Sequence, residues 1–260
     1  MGDAIHYPDH FIDRLHTIWG EGFLSPGGPQ EVRDIVQGVD LAGRSVLDIG
    51  CGTGGPALLL AGETGLARLV AIDVEAPVLE RARAQASESG LADRVAFQQI
   101  EPGPLPFADS SFDIVFSKDA LIHIPDKAGL YRDVLRVLRP GGAFLASDWL
   151  GGENTAASPE WQRYQRLGHL DFTMVTAAQV EEEMRAAGFE TVSTRDRNSW
   201  YAEVCRQELK RIEGPLRDEL IGIAGAEIYL HWLEVRRALA DSVAAGALRP
   251  THLRGFKPAV

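Results

Sequence analysis

SVLDIGCGTGG, Ser45 to Gly55, passes from an apolar run through a glycine turn into a helical segment. Gly50, Gly52 and Gly55 satisfy the spacing G-x-G-x-x-G, with four glycines in the six residues from Gly50. Glycine in such a turn adopts backbone angles other residues avoid and lets the main chain approach a ligand at the start of the helix. The next apolar run, RLVAID, ends in Asp73, where an acid can accept hydrogen bonds from a ribose. Strand, glycine turn, helix and second strand together read as the first half of a parallel α/β unit.

The pattern continues outward. Helical spacing over 76–89 leads to strand VAFQQI, strand FDIVFSK, a helix over 127–138 and strand AFLASDW. RPGG, Arg139 to Gly142, marks a helix end and a turn. Helices over 158–168 and 176–187 precede the strand FETVSTR, and the tail LRPTHLRGFK has the character of a last strand. Short apolar strands alternating with helices predict a doubly wound, mostly parallel sheet covered on both faces. Upstream, Phe11, Ile12, Leu15, Ile18 and Trp19 have helical spacing, and GEGFLSPGG is a loop. The expected organisation is an N-terminal helical lid (1–39), a core (40–197), a helical cap (198–247) and a final strand returning to the sheet (248–260).

The chain has 260 residues, 45% of them hydrophobic and 24% charged, with a formal net charge of −11. The acidity opposes binding to a nucleic-acid backbone. No apolar run nears the roughly twenty residues of a membrane span. Cys51 and Cys205 lie far apart, without metal-ligand spacing, so no metal site is expected and a reduced, cytoplasmic setting is. A monomer or homodimer acting on a small molecule fits these totals.

Nicotinamide dehydrogenases also satisfy the glycine spacing, and Asp48 argues against them. It lies two residues before Gly50, where its carboxylate would repel a pyrophosphate and suit a ligand bearing an ammonium group. S-adenosylmethionine (SAM) has an adenosine, an ammonium and no phosphate. PLPFADSSFDIVFS and LRVLRPGGAFLASD follow in the order seen in class I SAM-dependent methyltransferases, which residues 40–150 resemble. The resemblance implies a seven-stranded sheet with an antiparallel last strand. It also implies that Asp73 binds the ribose and Glu101 the adenine amino group, with Val74 and Ile100 against the ring. Asp48, Gly50, Gly52 and Ser117 complete the cofactor side.

The stretch FSKDALIHIPDK, Phe116 to Lys127, sets Asp119 and His123 four residues apart. One helical turn over 119–124 would put both on one face, and Asp119 could equally cap that turn. SKDALIH, together with Tyr7, Gly20, Glu21, Phe23, Ser25, Gly27 and Gly28, resembles phosphoethanolamine N-methyltransferases. By that resemblance Tyr7 and His123 form a latch acting in proton removal, Asp119 approaches the amine, and Ser25 binds the SAM carboxylate. The chain departs from the family at Leu15 and Trp149, where tyrosines are usual, and near Leu170, where a phosphate-binding arginine is. Trp149, Tyr164, Arg166 and Tyr229 are the candidate acceptor contacts. The reading is a small-molecule N-methyltransferase with a phosphoethanolamine-like or amino-acid-like acceptor. An O- or C-methyltransferase of a specialised metabolite, or a non-catalytic SAM-binding module, remains open.

Overall fold

The computed structural model describes residues 8–260. The helices are α1 (Asp9–Trp19), α2 (Gly28–Val36), α3 (Gly55–Glu63), α4 (Ala76–Glu88), α5 (Lys127–Val137), α6 (Pro159–Gly168), α7 (Ala177–Ala187), α8 (Asn198–Glu213), α9 (Arg217–Ala224) and α10 (Ala226–Ala244). The strands are β1 (Ser45–Ile49), β2 (Arg68–Asp73), β3 (Val95–Gln99), β4 (Phe112–Lys118), β5 (Leu138–Gly151), β6 (Glu190–Asp196) and β7 (Leu248–Phe256). They form one sheet in the order β3-β2-β1-β4-β5-β7-β6. β7 runs antiparallel to both its neighbours, and the other pairings are parallel. The expected doubly wound seven-stranded sheet with a reversed last strand is the architecture found.

Alternate strand residues build two cores. Leu47, Ile49, Val115 and Phe144 pack on α5 and α7 through Leu130, Val134, Val180 and Met184. Val46, Leu69, Ile114, Phe116 and Leu145 pack on the other face against Val32, Ile35, Leu60 and Leu79 of α2, α3 and α4. Because both faces are covered, β1 is buried at every position, which is why it reads as a continuous apolar run. Two further clusters build the cap. Trp161 and Tyr164 of α6 join Tyr201, Cys205 and Leu239 of α8 and α10 in one, so α6 belongs to the cap's packing too. Ile18 of α1 joins Ile212, Leu220, Tyr229 and Trp232 in the other.

One local reading changes, and one helix was not expected. The loop expected at GEGFLSPGG is followed by helix α2, with Pro29 in its first turn, where a missing N–H costs nothing. RPGG lies inside β5, which pairs with β4 at Leu138 and again from Ala143. Gly141, at φ +75°, donates instead to the carbonyls of Lys257 and Pro258. The β7 extension therefore holds as a strand irregularity what reads locally as a turn.

The sheet order reverses at β1, between β2 on one side and β4 on the other, which opens a crevice beyond their carboxyl ends. Gly50 sits there at φ +72°, and a Cβ on it would lie 2.3 Å from the Cβ of Ala120. Gly50→Ala should therefore cost about 2–4 kcal/mol, combining left-handed strain with overpacking. Gly65 has a similar φ of +66° and nothing within 4 Å, so Gly65→Ala should show only the backbone part, about 1–2 kcal/mol. Urea unfolding of the two variants measures the difference.

Candidate active site

The glycine turn is the floor of the site. Gly50, Gly52 and Gly54 all have left-handed φ values, and the amides of Gly50 and Cys51 donate to the carbonyl of Ile72 in β2. Asp73 ties the turn to β2 a second time: its Oδ2 accepts from the Gly52 amide at 2.8 Å and its Oδ1 from the Glu75 amide at 3.1 Å. Burial raises the Asp73 pKa, and these amide hydrogen bonds offset part of the rise. Each carboxylate oxygen keeps a second lone pair for a ribose hydroxyl.

Asp48 is 1% exposed, and its Oδ2 is buried with no hydrogen-bond partner among the described residues. Burial, with Asp73 nearby, pushes its pKa up to about 8. A carboxyl group so placed calls for a cation, so the site fits the ammonium of SAM. Val74, at 43% exposure, is one of the few large apolar side chains left open on this surface, as a wall for a flat ring would be. Ile100 packs at the margin of the core and Glu101 is exposed. The candidate cofactor residues thus lie at the carboxyl ends of β1, β2 and β3. Ser117 is different: it is fully buried and its hydroxyl donates to the Ile49 carbonyl at 2.7 Å, joining β4 to β1 inside the sheet.

A strap from the lid closes over the turn. The Gly55 amide donates to the Gly22 carbonyl at 2.9 Å, His16 Nε2 is 3.0 Å from Thr53 Oγ1, and Leu24 lies where a Cβ on Gly52 would be. Ser25 and Pro26 then reach the end of β4, where the Lys118 ammonium donates to the Ser25 hydroxyl, to the Pro26 carbonyl at 2.9 Å and to Asp119 Oδ2 at 2.8 Å. Lys118 has no role in the sequence reading. A lysine ending the strand FDIVFSK shows only that a charge closes the strand; its partners on the strap, Ser25 and Pro26, come from a distant segment.

Asp119 and His123 do not share a helical turn. Asp119 has φ +57°, and the only helical element among 119–124 is a 3₁₀ turn at Leu121–His123, with Ala120 before it and no side-chain cap. Left-handed backbone turns the Asp119 side chain back on β5. Its N–H donates to the Ser147 carbonyl at 2.7 Å, and its Oδ1 accepts from the Ser147 hydroxyl at 2.6 Å. Burial would raise the Asp119 pKa, but Lys118 and the hydroxyls of Ser147 and Ser25 hold it below its ordinary value. His123 is exposed at the same edge of the sheet, with its ring 5.1 Å from that of Phe172. Partial desolvation and the nearby Lys127 charge lower its pKa. Tyr7 lies outside the described residues.

The candidate acceptor contacts separate. Trp149 is half-buried near the carboxyl end of β5, its ring 5.9 Å from that of Tyr201. Tyr164 packs against Trp161 in the first cap cluster, and Tyr229 packs in the second, its hydroxyl donating to the Ile212 carbonyl at 3.1 Å. Both tyrosines are structural here. Arg166 is exposed on α6. Both cysteines are buried free thiols whose pKa values burial raises, so neither serves as a nucleophile. Among the described residues no cluster of metal ligands occurs and no helix is long and apolar enough to cross a membrane.

The model of a methyltransferase domain matches residues 40–211. Phosphoethanolamine N-methyltransferase 1 of Arabidopsis thaliana is 32% identical over 212 residues, 81% of this chain and 42% of that protein. The chain thus spans less than half the length of that plant relative. The 27-O-demethylrifamycin SV methyltransferase of Amycolatopsis mediterranei is 29% identical over 82% of each chain. Among solved structures, phosphoethanolamine N-methyltransferase 2 of Haemonchus contortus, in complex with phosphomonomethylethanolamine and S-adenosylhomocysteine, superposes with a TM-score of 0.90. It is 26% identical, and the match covers 98% of this chain and 59% of that one. With most of its length matched by the family model, and with a glycine turn and acid set that fit SAM, the chain belongs to the methyltransferase-domain family of class I, SAM-dependent fold.

Proposed function

We propose that the protein transfers a methyl group from SAM to the nitrogen of a small amine. The observation that carries this reading is that the segment leaving β4 beside the glycine turn bears both an ionised acid (Asp119) and, four residues on, an exposed imidazole (His123). The similarity to phosphoethanolamine N-methyltransferases supports it. When bound, SAM supplies a methyl on a cationic sulfur, open to in-line attack.

The chain's own residues account for the rest. Asp73 and the backbone of the turn hold the donor's ribose side, and Asp48 its ammonium. An amine attacks only as the free base, so the site must remove a proton. His123, with its pKa held down, is neutral near pH 7 and can accept that proton directly or through water. Asp119, kept ionised, favours the cationic product. Its charge is already partly balanced by Lys118, so this help is modest, and orientation of the amine, worth up to ~7–11 kcal/mol, is the larger effect.

A phosphate would want a free, bidentate cation. Arg163 is paired with Asp241, and the buried Arg236 with Glu208, so neither is free to hold a phosphate; the acceptor is a phosphoethanolamine-like or an amino-acid-like amine. Methylation at oxygen is the second reading, because the rifamycin relative matches over 82% of its own length.

Incubation with methyl-labelled SAM and a panel of ethanolamine, phosphoethanolamine, glycine, sarcosine and simple phenols, read by product mass spectrometry, separates these readings. Label on nitrogen is expected, and label on phenol oxygen alone overturns the first reading. SAM binding at pH 7 should release about one proton, since the ammonium drives off the proton that Asp48 holds below pH 8. Calorimetry in buffers of different ionisation enthalpy measures the release, and Asp48→Asn should abolish it. On the accepted amine, His123→Ala should lower kcat by about 10²–10⁴ with SAM affinity kept. Wild-type activity should fall as pH drops through the lowered histidine pKa, where the imidazole becomes protonated.

A further inference from the structure

Lys127 and Asp148 form a buried ion pair at 3.5 Å, with 7% and 1% of their side chains exposed. The sequence reading gave neither a role. Both reach the same peptide group. Lys127 donates to the carbonyl of Leu121, and Asp148 Oδ1 accepts from the N–H of Ile122 at 2.9 Å. These are the two ends of the Leu121–Ile122 peptide, in the 3₁₀ turn that carries His123. We propose that Lys127 and Asp148 are positioning residues for His123. They clasp one peptide plane from opposite ends and so fix the direction in which the imidazole leaves the turn. The proposal deepens the reading of His123 as the base and rests on it for its catalytic consequence.

Three observations support the clasp. First, a turn this short supplies little restraint of its own. Its internal hydrogen bonds run from the His123 amide to the Ala120 carbonyl and from the Ile124 amide to the Leu121 carbonyl, which leaves the Ile122 amide to Asp148. Second, a buried ion pair is weak as a stabiliser, because apolar residues of similar volume commonly do as well. Its use here is directional: rotating the peptide breaks both bonds at once. Third, the preceding residue, Ser147, holds Asp119 through its hydroxyl and carbonyl. Two successive residues of β5 thus place the two candidate catalytic side chains, one from each face of the strand.

The pair has charged and titratable company. Tyr131 of α5 and Glu183 of α7 face it, each with a buried oxygen lacking a hydrogen-bond partner among the described residues, and Asp119 acts on Asp148 from beyond β4. Of these groups, Lys127 is the charge that acts on the His123 imidazole.

The test uses the full chain with Lys127→Met, Asp148→Ala and Asp148→Asn. Two readouts need no acceptor: the His123 ring resonance by NMR and hydrogen exchange of the Ile122 amide. Lys127→Met and Asp148→Ala should displace or broaden the His123 signal and speed Ile122 exchange by about tenfold or more, with SAM affinity unchanged. Asp148→Asn keeps an oxygen toward Ile122 and should restore part of the protection. On the accepted amine, kcat should fall about tenfold or more with KM unchanged, because only the base is misplaced. An unmoved His123 signal with unchanged Ile122 exchange in folded Lys127→Met overturns the proposal. Where a single variant fails to fold, Lys127→Met/Asp148→Leu removes both charges together and leaves no unpaired ion, and a native His123 signal there overturns it equally. Full turnover of His123→Ala would instead overturn the base reading and leave the two acceptor-free readouts to judge the clasp.

Discussion

The absence of a Cβ at Gly50 is the constraint on which the rest of the molecule depends. Three chain segments meet there: the end of β1, the link after β4 that contains Ala120, and the strap that reaches the turn through Leu24 and Gly22. A Cβ on Gly50 would meet the Ala120 side chain, one on Gly52 the Leu24 side chain, and one on Gly55 the Gly22 backbone, so none of the three has room for one. This crowding brings the donor-binding turn within contact of the segment bearing Asp119 and His123. A wider junction would keep the fold and separate the two halves of the chemistry.

Around that junction the protein buries charge where core residues would pack more cheaply. Lys118 with Asp119, Lys127 with Asp148, and Arg197 with Glu31 each lie almost wholly out of water. Each also bonds to something other than its partner. Lys118 takes the lid at Ser25 and Pro26, Lys127 and Asp148 take the peptide before His123, and Glu31 takes His252 of β7. Buried pairs of this kind add little net stability but specify one arrangement of the segments they join. Here those segments are the N-terminal strap, the turn that carries His123 and the reversed last strand.

The cap shows the same balance in a more apolar setting. Trp149, Tyr201, Trp161 and Tyr164 make an aromatic wall beyond β5, and the Arg236–Glu208 pair is enclosed with them. Trp19 of α1 donates to Glu208, and Arg236 lies over the Trp19 ring, so the N-terminal helix is tied to the cap's buried charges.

The strands, the glycine turn and the acids at the ends of β1 and β2 were legible in the sequence because they are local. Period, glycine spacing and a charged residue ending an apolar run are properties of a few consecutive residues. Even the reversal of β7 came through resemblance in a stretch of about a hundred residues. The shared helical face expected for Asp119 and His123 does not form, because Asp119 takes a left-handed backbone and is held by Ser147 from another strand, which no local pattern shows. Nor does one show Lys118, Lys127 and Asp148, whose roles arise only when β4, β5, α5 and the strap converge. A pattern along one segment determines which side of it is buried. What a buried charge grips there depends on segments distant in the chain, and only the packed tertiary structure brings those into hydrogen-bond range.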